Sequence, residues 1–159
     1  MEFNDISLVT GAAGFMGSHL VEYLVEKGVR VRATSRPRKD RSFFDRLGVE
    51  FIPSDLTRPE TLPPLFEGGV DRVFHLGAIC NFSTPFKTLY PTNVEGVRLI
   101  TGEALKAGVK RFVHVTSTSV YGYYQGSPFV EEGPRNPGMA VMEVGREKAL
   151  PAPSLHLGP

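Results

Sequence analysis

The sequence predicts an α/β fold in which a doubly wound parallel sheet carries helices on both faces. Two observations support this prediction: short apolar runs alternate with helix-forming segments, and a glycine-rich turn follows the first apolar run. Strands separated by helices need crossover connections, which are right-handed and generate parallel sheets. With 159 residues, of which 41% are hydrophobic and 22% charged, the chain is long enough for one globular domain.

The strands are predicted from short runs of apolar and β-branched residues. Five such runs occur in chain order, at residues 6–11, 29–35, 49–56, 71–78 and 110–122. Segments with helical character lie between them. This arrangement gives the repeated strand and helix pattern of the predicted fold.

Two of the helices are predicted from the spacing of apolar residues. The first covers residues 14–27 and is followed by Gly28, a residue type that commonly ends helices. The second covers about residues 86–107, where Pro91 is expected to bend the helix or delay its start. In each helix apolar residues fall on one face, namely Met16, Leu20 and Leu24 in the first and Val97, Ile100 and Ala104 in the second.

Charge and composition exclude several classes of function. The net charge of +1 does not favour a general nucleic-acid-binding or membrane-binding surface. Cys80 is the only cysteine, so an intramolecular disulfide is excluded. The histidines lack the spacing of metal ligands, and no metal site is expected; they are His19, His75, His114 and His156.

The N-terminal segment MEFNDISLVTG has neither the basic start nor the apolar stretch of a signal peptide. No apolar run is long enough to cross a membrane. We therefore expect a cytoplasmic protein with no membrane partner and no nucleic-acid partner.

The turn after the first strand reads TGAAGFMG and places glycines at positions 11, 14 and 17. Glycines between a strand and a helix permit a tight turn and allow a pyrophosphate to approach the backbone. They also direct the N–H groups of the helix N-terminus toward negative charge. The sequence therefore predicts a dinucleotide-binding turn, and the alternative is a glycine-rich turn that binds no ligand.

Five segments resemble, in order and spacing, the extended short-chain dehydrogenase/reductase superfamily. They are TGAAGFMGSHL, DLT at 55–57, HLGA at 75–78, NVEGV at 93–97 and VTSTSVYG at 115–122. Within the superfamily, the chain most resembles the nucleotide-sugar epimerase/dehydratase members and the dihydroflavonol-reductase-like members. The resemblance implies an NAD(P)-binding Rossmann-type domain, a smaller C-terminal substrate domain and hydride transfer at a hydroxyl or carbonyl carbon.

The resemblance also implies a domain organisation. Residues 1–150 would form the NAD(P)-binding domain, incomplete at its C-terminal edge, and residues 151–159 a proline-rich tail. The C-terminal substrate domain is expected to be missing. A small-molecule substrate is the expected partner of an active protein, and family members often form homodimers.

Positions of the cofactor site follow from the resemblance. Gly11, Gly14, Phe15, Met16 and Gly17 would line the pyrophosphate, Asp55 and Leu56 would contact the adenine, and Leu76, Gly77 and Ala78 would lie against the adenosine and its ribose. Asn93 matches a family asparagine on the helix beside the active site. On residue type alone, Asp55 is also consistent with a turn or cap, and Asn93 with a solvated helix start.

Cofactor choice depends on the end of the second strand. Ser35 stands where NAD-preferring domains place an acidic residue on the ribose 2′-hydroxyl, and Arg36 follows it, with Arg38 and Lys39 nearby. A guanidinium suits a 2′-phosphate, so NADP(H) is favoured and NAD(H) is the alternative. The basic residues are also consistent with a solvated loop. Arg30 and Arg32 alternate with apolar residues within the strand and are not expected in the site.

The catalytic residues are implied by the resemblance. Ser117 matches the family hydroxyl at the end of the fifth strand, where it could donate a hydrogen bond to a substrate oxygen. Its neighbours Thr118 and Ser119 also carry hydroxyl groups, which leaves room for an assignment shifted by one residue. Alternatively, all three hydroxyls satisfy backbone groups at the strand end.

The proton donor is expected four residues before the family lysine. Lys148 in VGREKA resembles the lysine of the family segment YGRSKA, but Val144 stands where the tyrosine should be, and valine cannot transfer a proton. Lys148 either holds the nicotinamide ribose or is an exposed helix lysine. Two hypotheses follow: an oxidoreductase, epimerase or dehydratase, and a dinucleotide-binding fragment without turnover.

Overall fold

The computed structural model describes residues 6–37, 40–81, 83–117 and 121. These residues divide into two compact units. The first comprises the described residues of Met1–Ala78 and Leu99–Val115, and the second those of Ile79–Arg98 and Thr116–Pro159. The predicted domain boundary at residue 150 lies outside the described residues and stays a prediction.

A parallel sheet of five strands forms the centre of the first unit. In chain order the strands are β1 (Ile6–Thr10), β2 (Arg30–Thr34), β3 (Glu50–Phe51), β4 (Arg72–His75) and β5 (Arg111–His114). Their order in the sheet is β3-β2-β1-β4-β5, with every neighbouring pair parallel. The predicted doubly wound parallel sheet of the Rossmann type is confirmed, with strands shorter than the apolar runs that predicted them.

Helices and tight helical turns connect the strands. They are α1 (Phe15–Glu26), α2 (Ser42–Arg46), two 3₁₀ turns (Pro59–Thr61 and Pro63–Phe66), α3 (Phe86–Tyr90), a π turn (Pro91–Glu95) and α4 (Gly96–Lys106). In the described part of the chain, no helix combines the length and apolarity needed to span a bilayer.

Apolar clusters cover both faces of the sheet. Alternate residues of a strand point to opposite faces, so Leu8 and Val9 of β1 belong to different clusters. The cluster on the first face includes Ile100 and Ala104 of α4, and the cluster on the second face includes Val21 and Leu24 of α1. This arrangement confirms the prediction that helices lie on both faces.

Of the predicted apolar face of α1, Leu24 is buried and Leu20 packs against the core, whereas the placement of Met16 is wrong. The buried residues are Gly17, Val21 and Leu24, whereas Met16 is 58% exposed. The reason is the close approach of the helix to the preceding turn, since a Cβ on residue 17 would lie only 2.1 Å from the carbonyl oxygen of Gly11. The residue without a side chain must occupy that contact, and positions four and seven residues later then face the sheet.

Pro91 divides the predicted long helix, as its position suggested. The chain is helical from α3 through α4, and the π turn that joins them begins at Pro91. Proline has no N–H to donate to the preceding turn, so the regular hydrogen-bond ladder is interrupted there. Of the predicted apolar face, Ile100 and Ala104 are fully buried, and Val97 is half-buried.

Pairing of β4 with β5 brings two histidines together that are far apart in sequence. His75 and His114 are register partners, and their rings stack with centroids 5.2 Å apart. Among the residues that the structure describes, no group of three or more histidine, cysteine, aspartate or glutamate side chains could hold a metal ion.

Arg32 is a buried arginine in β2, away from the glycine-rich turn. Its Nε donates to Glu50 Oε2 at 2.8 Å, and its Nη1 donates to the carbonyl oxygens of Leu65 and Glu67 at 2.8 and 2.7 Å. The side chain is 7% exposed, whereas that of Glu50 is 51% exposed. Arg32 thus ties β2 to β3 and to the second 3₁₀ turn, which agrees with its predicted exclusion from the ligand site.

We expect Arg32→Met to lower the free energy of unfolding by about 2 kcal/mol, because it leaves the buried Leu65 carbonyl and the partly buried Glu67 carbonyl without this donor. Urea unfolding followed by circular dichroism measures this change. Arg98→Met is the matched control, since Arg98 pairs with Glu95 at 2.8 Å on the surface. That substitution is expected to cost less than about 0.5 kcal/mol. Equal losses for the two variants would contradict the structural role of Arg32.

Candidate dinucleotide-binding site

The glycine-rich turn ends at the N-terminus of α1 without a side-chain cap. Gly14 is the N-cap residue and has no side chain that could cap the helix. The first turn of the helix contains no acidic residue. The turn is closed by hydrogen bonds from Gly14 N to Gly11 O and from Ser18 N to Gly14 O, both 2.9 Å long. Backbone N–H groups of a helix start attract anions, so this end of α1 suits a phosphate group.

The glycine-rich turn packs closely against neighbouring backbone segments, which leaves no space for side chains at its glycine positions. Gly11 has φ of +66°, and a Cβ at that position would lie 2.8 Å from the backbone nitrogen of Gly77. A Cβ on Gly14 would lie 3.2 Å from the Gly11 oxygen, and one on Gly17 would be closer still. The turn therefore lies directly against the start of α1 and the chain after β4, and a side chain at Gly11 or Gly17 would displace them.

Thr10 joins the ends of β1 and β4 through one hydroxyl group. Its Oγ1 lies 2.7 Å from Nδ1 of His75 and accepts hydrogen bonds from the backbone N–H groups of Leu76 at 3.2 Å and Gly77 at 3.1 Å. Because two backbone N–H groups donate to this oxygen, its own proton can be donated to Nδ1 when that ring nitrogen is unprotonated. The hydroxyl thereby holds Gly77 against Gly11.

Thr10 and His75 were missed as determinants of the site by sequence reasoning. Both occur inside the segments that carry the family resemblance, but nothing in the sequence indicates that they bond to each other. The one feature of the sequence that could have indicated their role is that each is a polar residue at the end of an apolar strand.

The ends of β2 and β3 are joined by a second hydroxyl pair. Thr34 Oγ1 and Ser54 Oγ are 2.8 Å apart and buried, and Ser54 N donates to Ser35 O at 3.0 Å. Ser35 and Arg36 therefore lie beside Asp55 at one edge of the sheet. Arg36 is exposed to solvent, as a group that binds a ligand phosphate needs to be.

Asp55 forms the turn that its residue type suggested, through one of its two carboxylate oxygens. Its Oδ1 accepts from Thr57 N at 2.9 Å and from Thr57 Oγ1 at 2.7 Å. The Thr57 N–H lowers the pKa of this carboxyl most, against the opposing effect of burial, and the Thr57 hydroxyl, Arg58 and Arg36 lower it further. In the described part of the chain, Oδ2 accepts no hydrogen bond and can face an adenine amine.

Leu56 lies over the chain that follows β4. A Cβ on Gly77 would meet Leu56 Cδ1 at 3.1 Å and Thr10 Oγ1 at 3.2 Å. The structure thus brings together the glycine-rich turn, the segment after β3 and the segment that leads to Ala78. These are the parts to which the family resemblance assigns the pyrophosphate, the adenine and the ribose.

Two large apolar side chains are exposed at the start of α1. Phe15 is 81% exposed and Met16 is 58% exposed. They are the two residues between Gly14 and Gly17, so they flank the uncapped N–H groups. Their position agrees with the predicted lining of a pyrophosphate site and leaves that prediction to be tested.

Asn93 is buried within the second unit. Its Oδ1 accepts from Ile79 N at 2.8 Å and its Nδ2 donates to Ile79 O at 3.0 Å, with 2% of the residue exposed. The alternative of a solvated asparagine at a helix start is therefore wrong. Asn93 thus holds the backbone of Ile79, the residue after Ala78, through two hydrogen bonds. A contact between Asn93 and a cofactor stays a prediction.

Ser117 is half-buried and lies three residues beyond the end of β5. The other predicted residues of the catalytic and basic groups lie outside the described part of the chain, namely Arg38, Lys39, Thr118, Ser119, Val144 and Lys148. Their roles stay predictions.

Two solved structures of similar fold contain NAD, the cofactor that the sequence analysis gives as the alternative to NADP(H). A short-chain dehydrogenase/reductase superfamily protein from Agrobacterium tumefaciens with bound NAD is 32% identical, with a TM-score of 0.77; the match covers 91% of this chain and 42% of that one. UDP-glucose 4-epimerase from Thermus thermophilus, in complex with NAD, is 27% identical, also with a TM-score of 0.77; there the shares are 91% and 47%.

Curated protein sequences are also similar to this chain over most of its length. The uncharacterized protein YbjS of Escherichia coli K12 is 33% identical over 146 residues, which is 89% of this chain and 42% of that protein. Sterol demethylase protein B of Methylococcus capsulatus is 37% identical over 117 residues, which is 73% of this chain and 35% of that protein. The chain thus spans less than half the length of either relative.

Residues 7–140 match the sequence model of the NAD-dependent epimerase/dehydratase family. The match covers most of the chain and includes the glycine-rich turn, β1 to β5 and the segments after β3 and β4. Family model, sheet and turn geometry agree, and the chain belongs to the NAD-dependent epimerase/dehydratase family.

Proposed function

We propose that this chain is the dinucleotide-binding part of an extended short-chain oxidoreductase, epimerase or dehydratase, and that it prefers NADP(H) to NAD(H). The observation that carries the preference is the end of β2, where Ser35 replaces the expected acid and the exposed Arg36 follows. A carboxylate at position 35 would accept from a 2′-hydroxyl and repel a 2′-phosphate, whereas a guanidinium attracts the phosphate.

The residues present fit a dinucleotide. Glycines 11, 14 and 17 leave a backbone surface that side chains would fill, and the uncapped start of α1 offers N–H donors to a pyrophosphate. Oδ2 of Asp55 can accept from the adenine amine, and Leu56 supplies an apolar contact. The bound nicotinamide would exchange a hydride with a hydroxyl or carbonyl carbon of a small-molecule substrate.

A second candidate function is dinucleotide binding without turnover. The observation that favours it is Val144, four residues before Lys148, where the family segment has tyrosine. Valine can neither donate nor accept a proton, so Ser117 and Lys148 would have no phenol to act with. In this function Lys148 would hold the nicotinamide ribose by its ammonium group.

Calorimetric titration with NADPH and with NADH tests the cofactor preference. We expect NADPH to bind about tenfold more tightly, because a charge-assisted contact to the 2′-phosphate is worth on the order of 1.5 kcal/mol. Ser35→Asp is expected to abolish or reverse the difference by placing a carboxylate at the 2′ position. Tighter binding of NADH by the parent chain, or no binding of either cofactor, would contradict the proposal.

Gly17→Ala tests the glycine-rich turn. We expect loss of dinucleotide binding and destabilisation by about 3 kcal/mol or more, since the new methyl group would overlap the Gly11 carbonyl. Gly102→Ala is the control, because Gly102 lies in α4 with open space where a Cβ would be. It is expected to add up to about 1 kcal/mol to stability without affecting binding. Unchanged affinity in Gly17→Ala would count against the site.

Val144→Tyr tests whether position 144 lies close enough to Lys148 for a Tyr/Lys pair, and the test does not require a known substrate. If residues 144 and 148 share a helix face, the introduced phenol has a lowered pKa because the Lys148 ammonium favours the phenolate. Ultraviolet titration of Val144→Tyr against Val144→Tyr/Lys148→Met measures the difference. Identical phenol titrations in the two variants would show that Lys148 is not placed to serve as half of a Tyr/Lys pair.

A further inference from the structure

Three charged side chains belong to the edge of the sheet where β2 and β3 end. Arg36 and Asp55 directly follow Ser35 and Ser54, which are joined by a backbone hydrogen bond of 3.0 Å. The buried hydroxyl pair of Thr34 and Ser54 reinforces this connection at 2.8 Å. The backbone positions of Arg36 and Asp55 are therefore held next to each other by the sheet.

Arg58 is fixed relative to Asp55 by a tight turn. Arg58 N donates to Asp55 O at 2.9 Å, and the hydroxyl of Thr61 lies within 2.8 Å of Arg58 O and 3.0 Å of Asp55 O. The guanidinium groups of Arg58 and Arg36 both lower the pKa of the Asp55 carboxyl. Both cations therefore act on one carboxylate, Arg36 from the end of β2 and Arg58 from the turn after β3.

The charges at this edge determine which ribose it can accept. A phosphate monoester carries between one and two negative charges at neutral pH. Arg36 attracts a 2′-phosphate, and Asp55 weakens this attraction because the two side chains together carry no net charge. A second guanidinium makes the local charge positive.

Arg58 is available for such a role. Within residues 6–37, 40–81, 83–117 and 121, neither Arg36 nor Arg58 has a carboxylate partner within 4.0 Å. Arg41 differs from them, because its guanidinium lies over the Phe51 ring at 5.3 Å from the ring centroid. Both Arg58 and Arg41 are exposed, so the two arginines form a matched pair for an experiment.

We propose that Arg58 is a second cationic contact for the 2′-phosphate of the adenosine and determines cofactor specificity together with Arg36. This inference rests on the proposed NADP(H) preference. It adds a second residue that determines the preference, located in the turn after β3 and not at the end of β2. Arg58 provides the positive charge that allows a 2′-phosphate to bind beside the adenine-contacting carboxylate.

Calorimetric titration of the full 159-residue chain with 2′,5′-ADP and with 5′-AMP tests the proposal. We expect Arg58→Gln to weaken binding of 2′,5′-ADP about tenfold and binding of 5′-AMP less than about twofold, because only the first ligand carries the 2′-phosphate. Arg41→Gln is expected to leave both affinities within about twofold of the parent. Circular dichroism checks that both variants keep their fold.

The outcomes separate this inference from the proposed function. If the parent chain does not prefer 2′,5′-ADP over 5′-AMP, the NADP(H) preference itself is wrong. If the parent has the preference and Arg58→Gln retains it in full, or loses affinity for both ligands equally, the role of Arg58 is wrong. A carbon-13 titration of the Asp55 carboxyl is an independent readout, because Arg58→Gln should raise its pKa and Arg41→Gln should not.

Discussion

The contact between Gly17 and the carbonyl oxygen of Gly11 sets the arrangement of the candidate site. Any side chain at position 17 would overlap that oxygen, so the helix can lie against the turn only at a glycine. This contact fixes the rotation of α1, which buries Val21 and Leu24 and leaves Met16 at the surface. The uncapped N–H groups of the first turn are aimed by the same contact. Core packing and ligand binding thus depend on one missing side chain.

Hydroxyl groups at the strand ends hold the remaining parts in position. Thr10 connects β1 to the chain after β4 through three hydrogen-bond partners, and Thr34 connects β2 to Ser54. All of these bonds are made where regular strand pairing stops and backbone groups would otherwise need water or another partner. These side chains thus connect the irregular segments after β3 and β4 to the neighbouring strands.

The sequence was sufficient for the parts of the fold that depend on local patterns. Alternating apolar runs predicted all five strands, and Pro91 predicted an irregularity in the long helix, which the structure shows as a π turn rather than a delayed start. Met16 was wrongly placed on the buried face of α1, because apolar spacing does not report how closely the start of a helix approaches the preceding turn. Burial of Asn93, the Arg32 contacts and the Thr10–His75 bond depend on residues 14 to 65 positions away, which no local pattern encodes. The resemblance supplied ligand positions that the geometry can accommodate, but not their energetic roles.

The shortness of β3 has a consequence for the behaviour of the protein in a crowded solution. This outermost strand has two residues, Glu50 and Phe51, and Pro53 follows almost at once. A long, flat outer strand would expose a row of unpaired backbone groups on which a second chain could extend the sheet. Here the row is too short to template such growth, and the exposed Glu50 adds charge to it. The edge that carries Asp55 is thereby protected from aggregation while it remains open to a small ligand.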